Sequence, residues 1–507
     1  MTLQEYQTWL NNVDAKRCLL CEVQAYSSGQ KLTFYISNMA YYTKPTDSPA
    51  SIQYDVRLTG DVYFTRSIPF FEKGRGVDEY GTVQVVNIDG ILDVWQNYLW
   101  KGMQIRLLLG DASWPYANFN IQPILVGSIA EKPSFSKELV EFKIRDKIGK
   151  LDIPIQKTLL TTGDKKGEPS PLIYGQVRNI EPIQINSTTL TYKFHTGITN
   201  AVTTVYDKGV VLAAYTPNLT TGEVTITNRP SGTITMDIQG AKPSGTWLSK
   251  AGEITKQILL DAGIPVGEIN TTSLSTVDST DSTKAYTLGI YVTDKRTILE
   301  VLDEIWGSVG GYYYFDFNGL FTAGLLTNPS GLTSKASIQQ LETVANELTV
   351  EPLNEVQYRT SLKYQKNWRV QKDGDLAGSI SDPNYPNKDR VEWLRNDFRV
   401  AYNENLALVP QESGVYQYHL VNNPDPIETI LDDATQTATE CAYRQAILGV
   451  SRKLLKCTAM DSPFKLLPGD CITVYNPRYG LSNGQKVQIL KISYHPLENK
   501  SEVEAWF

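Results

Sequence analysis

The residues most able to do chemistry are few and scattered. Gly480-Leu-Ser482-Asn-Gly484 fits the G-x-S-x-G pattern of a nucleophilic serine. That elbow needs a strand before the serine and a helix after it, and a triad needs an acid and a histidine in order. Here a strand pattern follows the motif, and no Asp lies between Ser482 and His495, so a hairpin loop is the expected structure. Cys18-Leu-Leu-Cys21 has half the spacing of a zinc site, but no second C-x-x-C or H-x-x-x-H accompanies it. On a strand, an offset of three sends the two thiols to opposite faces. His195, His419 and His495 stand far apart in sequence. Asp432-Asp433 sits at a helix start, where capping accounts for it, and no phosphate-binding G-x-x-x-x-G-K-[ST] occurs. No catalytic, cofactor or metal residue is therefore assigned.

The elements around these residues are those of a large β-rich chain. Its 507 residues allow about three or four domains. Hydrophobic residues make up 41% and charged residues 20%, so large buried cores are expected. A net charge of −7 (48 basic against 55 acidic residues) lacks the excess a nucleic-acid surface would favour. No apolar run reaches membrane-spanning length, and Met1–Lys16 has no apolar core of a secretory signal. The five cysteines do not form a disulfide framework. The 29 tyrosines and 36 glycines suit strands, turns and tyrosine-bearing contact surfaces.

The pattern predicts a mainly β, multidomain fold with α+β insertions: several antiparallel β-domains and a central helix-hairpin domain. Residues 1–155 read as an N-terminal β-domain whose Ile91–Leu99 is a short amphipathic helix. Residues 156–240 read as a second β-rich block. In 241–345, helices are expected over Trp247–Gly263 and, capped by Asp294, over Asp294–Val309. The polar Thr271–Lys284 reads as a loop, and Asn318-Gly319 signals a type I′ hairpin. Residues 346–507 return to β, with a long loop over Asp373–Arg390. A helix over Asp432–Lys453 is expected to turn Ala438, Cys441, Ala442, Ala446, Ile447 and Val450 inward.

The closing stretch supplies the clearest structural anchors. Pro468 and Gly469 make a turn before Asp470, and Ile472, Val474 and Lys486–Tyr494 alternate as half-buried strands do. Trp506-Phe507 is an apolar pair expected to dock in a core. This stretch resembles the last β-domain of phage tail hub (baseplate hub) proteins. Leu467, Pro468, Gly469 and Asp470 match their strand-opening turn, and Gly480, Gly484 and Val487 match the loop before the final hairpin.

Residues 1–155 resemble the N-terminal domain of a group of phage tail proteins through four elements in order: Tyr35-Ile36-Ser37-Asn38; Asn87, Asp89, Gly90, Leu92 and Asp93; Gly110, Asp111 and Trp114; and Arg145, Asp146, Leu151, Asp152 and Pro154. A looser match runs from Lys166 to Tyr174 and Gly175, then Pro230, Gly232, Thr235, Asp237 and Gly240.

The resemblance implies a structural virion protein without bond chemistry, a baseplate hub or central tail-tip subunit that joins the tail tube to the tip and gates DNA exit. It implies a ring of identical chains, most often a homotrimer, with 1–155 and 346–507 as candidate tube-type domains. The implied neighbours are a distal tail or tail-tube protein above, a tip fibre or spike below and a tape-measure protein. No cofactor, membrane span or sequence-specific nucleic acid is implied. The implied location is the virion's tail tip or baseplate, after assembly in the host cytoplasm. The alternative class is a tail-associated cell-wall hydrolase or carbohydrate-binding protein; a hydrolase would need a further cleft-forming module, and none is expected after the closing hairpin.

Overall fold

The computed structural model describes the whole chain except residues 13, 72–73, 77, 280–283, 345–346, 383, 406–424 and 461–465. His419 and part of the expected 271–284 loop lie outside the described residues.

Alternating apolar positions build strands throughout, and most pair antiparallel. The largest sheet has 16 strands. Cys18–Ser27 lies near one end, between Gln30–Ser37 and Gln104–Gly110. Leu125–Ile129, Leu139–Arg145, Asp78–Val86 and Leu58–Ser67 continue the sheet. Leu58–Ser67 then pairs with Gln485–His495, bringing Lys491 opposite Ser67 and Tyr494 opposite Phe64. Lys500–Trp506, Lys453–Ala459 and Thr349–Pro352 complete that end. A single apolar cluster runs under the join and includes Val23, Trp100 and Phe142 from one side and Ile472, Tyr494 and Val503 from the other.

The expected blocks share strands with one another. The sheet joins 1–155 to 346–507, and Ala336–Ile338 pairs in parallel with Cys471–Val474. Gly289–Val292 pairs with Leu172–Ile180 at the edge of a five-stranded sheet that also holds Thr199–Asp207 and Ile234–Ala241. A four-stranded sheet, Ile183–Asn186 to Glu223–Ile226, contributes Tyr192, Val224 and Ile226 to the same core. The fold is thus mainly β and multidomain, with helices inserted between antiparallel sheets.

The helical region differs in detail from the sequence reading. Trp247–Gly263 shortens to Ala251–Asp261, with Ile254, Ile258 and Leu259 buried. Thr271–Asp278, expected as loop, is a helix: Asn270 accepts from the Ser273 N–H, and Leu274 and Val277 are buried. Leu274 and Val277, one turn apart, dock it, and buried Asp278 accepts from the Gly252 and Glu253 N–H groups at the start of Ala251–Asp261. The next helix runs Ile298–Ser308 and is capped by Thr297, not Asp294. Thr297 and Glu300 form a reciprocal capping box, while Asp294 pairs with Arg296.

Gly311–Phe315 and Phe321–Leu325 form the expected hairpin, but Phe315 faces Phe321 across the loop 316–320. Asp316 Oδ1 accepts from the Asn318 and Leu320 N–H groups, so an aspartate-centred loop replaces the type I′ turn. Ile91–Asn97 is a 3₁₀ helix. Asp373–Arg390 is not all loop, since it contains Gly378–Ser381 and the start of Lys388–Leu394, where Asn387 accepts from Arg390.

Candidate functional site

The possible nucleophile and metal residues do not assemble. Ser482 is exposed in the turn between Cys471–Val474 and Gln485–His495, with a strand after it. Cys18 and Cys21 are both buried on opposite sides of their strand, in different apolar clusters, and burial pushes the Cys18 thiol up to about 12. Among the described residues, no three His, Cys, Asp or Glu side chains gather as metal ligands would. None of the described helices is long and apolar enough to cross a membrane.

His195 is a core residue: it is 2% exposed, and its Nδ1 accepts from the Ile173 N–H at 3.0 Å. Burial, then Lys193, pushes its pKa from 6.5 down to about 4. The unfolded chain takes up a proton near pH 6.5, while the folded chain refuses it until about pH 4. The contribution is full above pH 6.5 and is lost as pH falls through the folded value, by about 3 kcal/mol for such a shift. Asp278, raised to about 6 by burial, has the opposite slope across part of this window. Comparison with His195→Gln isolates the histidine: urea unfolding at pH 7 and pH 4.5 should show the wild-type advantage shrinking at the lower pH. An unchanged difference would contradict the buried neutral imidazole.

The residues that carry the resemblance instead fix turns and close backbone approaches. Asn38 accepts from the Leu19 N–H at 2.8 Å and donates to the Arg17 carbonyl, closing the sheet end beside Ser37. Buried Asn87 accepts from Leu92 N–H and donates to Asp93, while Asp89 takes a two-pronged ion pair from Arg57. Gly90 between them has φ +69°, which favours glycine. Asp111 accepts from Ser113 N–H, and Trp114 packs on Trp9 with ring centroids 4.6 Å apart. Asp146 caps Lys147–Leu151 and also accepts from the Phe315 N–H at 3.3 Å, tying the N-terminal sheet to the central hairpin. Asp237, in the looser match, accepts from Asn179 N–H and the Tyr206 hydroxyl.

The C-terminal anchors lie at a junction of three parts of the chain. The Leu467 N–H donates to Asp470 Oδ2, Tyr314 donates to the Pro468 carbonyl, and Lys335 pairs with Asp470 at 2.6 Å. Gly469 has φ +89°, and a Cβ there would collide with the Tyr312 hydroxyl. Trp506 is fully buried against Phe70, Tyr312 and Leu490, and its indole donates to Gln488. Phe507, expected to be buried, is half-buried; its backbone exchanges two hydrogen bonds with Lys453.

A buried ionic cluster went unseen in the sequence. Helix Ala434–Leu448 buries Thr437, Glu440, Arg444 and Gln445 with Cys441, Ile447 and Leu448, whereas Ala438, Ala442, Ala446 and Val450 are exposed. Glu440 accepts from Arg444 Nε at 2.7 Å, pairs with Lys284 at 3.0 Å and accepts from the Tyr286 hydroxyl. The two cations also donate to the Gly307, Ser308 and Val309 carbonyls. They thereby satisfy acceptors that the end of helix Ile298–Ser308 leaves over. Burial pushes the Lys284 ammonium down to about 8 despite Glu440. The i, i+4 spacing of Glu440 and Arg444 was the available signal, but it does not distinguish a buried pair from a surface one.

No protein-family model matches the chain, and no curated protein matches it by sequence. Solved structures that it resembles include two tail proteins and a virion chain. A tail protein from Neisseria meningitidis MC58 is 9% identical, with 97% of this chain and 96% of that one covered at a TM-score of 0.41. The 43 kDa tail protein of prophage MuSo2 from Shewanella oneidensis is 10% identical over 97% and 96% of the two chains, also at a TM-score of 0.41. A chain of the native gene transfer agent virion is 14% identical over 69% and 86%, at a TM-score of 0.44.

Proposed function

We propose that the protein is a structural subunit of a phage tail, a baseplate hub or central tail-tip component that works by assembly rather than by bond chemistry. The observation that carries this reading is the ordered set of motif residues resembling phage tail proteins: Asn38, Asn87, Asp111, Asp146 and the Leu467–Asp470 turn. Each holds a turn or a junction of the large sheet. Residues in such roles specify the shape of a scaffold, whereas a catalytic site needs a nucleophile or acid beside a partner.

The pairing of Leu58–Ser67 with Gln485–His495 supports the finer reading. It sets the two candidate tube-type blocks edge to edge, so each chain would add a continuous stretch of sheet to a ring wall. Such a ring, most simply a homotrimer, would have neighbours above and below in the tail and would lie at the tip, with DNA leaving through it. Native mass spectrometry of the purified protein and of isolated tail tips tests the ring. Three copies per closed assembly are expected; a chain that stays monomeric in both would contradict the proposal.

A further inference from the structure

We propose that the end of the large sheet carries a binding site for a neutral saccharide. A cleft of about 560 Å³ opens there between Tyr41–Tyr42, Gln53–Val56 and the turn Ala112–Trp114, a size usual for small-molecule sites. Its floor is built rigidly. Tyr54 is 1% exposed and donates to Glu22 at 2.8 Å, and Glu22 is held in turn by Arg106 and Tyr116. One wall is fixed by the Tyr41 hydroxyl, which donates to the Trp114 carbonyl. Tyr42, which pairs with Gln53 beside this support and lines the cleft, is left 67% exposed although its neighbours Tyr41 and Tyr54 are buried.

The ligand class follows from the lining. Exposed Tyr42 offers aromatic surface, and Asp47 and Gln53 offer planar hydrogen-bonding groups. Asp47 uses one carboxylate oxygen to accept from the Lys44 N–H. Lys44 and Asp47 balance in charge, so nothing selects a polyanion. A sugar ring has an apolar C–H face for an aromatic platform and hydroxyls for a carboxylate and an amide. Strand addition by a peptide fits less well: the edge strand is only Tyr41–Tyr42, and Lys44-Pro45 follows, both features that blunt a sheet edge.

The inference does not depend on the tail reading. The full chain is titrated with maltotriose, cellotriose and chitotriose at millimolar concentration and followed by saturation-transfer NMR. At least one should bind, and Tyr42→Ala should weaken it about tenfold or more, with a smaller loss for Gln53→Ala. Both side chains are exposed, so the melting temperatures should stay at the wild-type value, and Tyr402→Ala, at an exposed tyrosine on another sheet, should bind normally. The proposal is overturned if none of the three binds, if Tyr42→Ala binds as well as wild type, if Tyr402→Ala loses binding equally, or if only adenosine or an extended peptide occupies the cleft.

Discussion

Glu440→Gln should be the most damaging single substitution described here, with a loss of about 3–5 kcal/mol of folding stability. Glu440 is fully buried and bridges Lys284 and Arg444, whose side chains are 2% and 0% exposed. The amide keeps the shape but removes the negative charge that the two buried cations share. Among the described residues Arg444 Nη1 already has no hydrogen-bond partner, so the cluster has little capacity to absorb the loss. Glu440 holds the Lys284 pKa up at about 8 against burial; without it the lysine should release its proton at a lower pH than in the wild type, so the variant's deficit should narrow as pH is raised from 7 to 9. Urea unfolding of both proteins at the two pH values measures this. A loss under about 1 kcal/mol, the size of an exposed pair, would show that the cluster is hydrated.

Deleting Trp506-Phe507 should be the second large effect. Trp506 fills the cluster shared by the large sheet, the Gly311–Phe315 hairpin and helix Ala434–Leu448, and truncating such a ring costs about 3–5 kcal/mol once the cavity is included. Gln488 would lose the indole it accepts from, and Lys453 would lose its two backbone bonds to Phe507. Against a total of about 5–15 kcal/mol for a domain, a fall of many degrees in melting temperature is expected, together with failure to enter tails. Normal melting and normal incorporation would mean that the end of the sheet is not anchored there.

What could be read from the sequence had local causes. Pro468-Gly469, Asp89-Gly90 and Asp111 announce turns because one residue's φ or one side-chain acceptor suffices to set them. Cys18 and Cys21 could be placed on opposite faces from the strand period alone. The inward face of helix Ala434–Leu448 was misjudged because three alanines suggested a packed stripe, whereas the buried partners Lys284 and Tyr286 lie far away in sequence. Thr271–Asp278 was missed because its two buried apolar residues, Leu274 and Val277, are too few to raise a periodic signal. The pairing of Leu58–Ser67 with Gln485–His495 could not be read at all, since long-range strand pairing leaves no local mark. The cleft beside Tyr42 has the same origin: its walls come from Tyr41–Tyr54 and Ala112–Trp114, which only the fold brings together.

The most direct test of the proposed structural role is immunogold electron microscopy of purified phage particles with antibody raised to this chain. The account predicts gold confined to the distal end of the tail. Particles that carry no label, or carry it on the capsid, would contradict it.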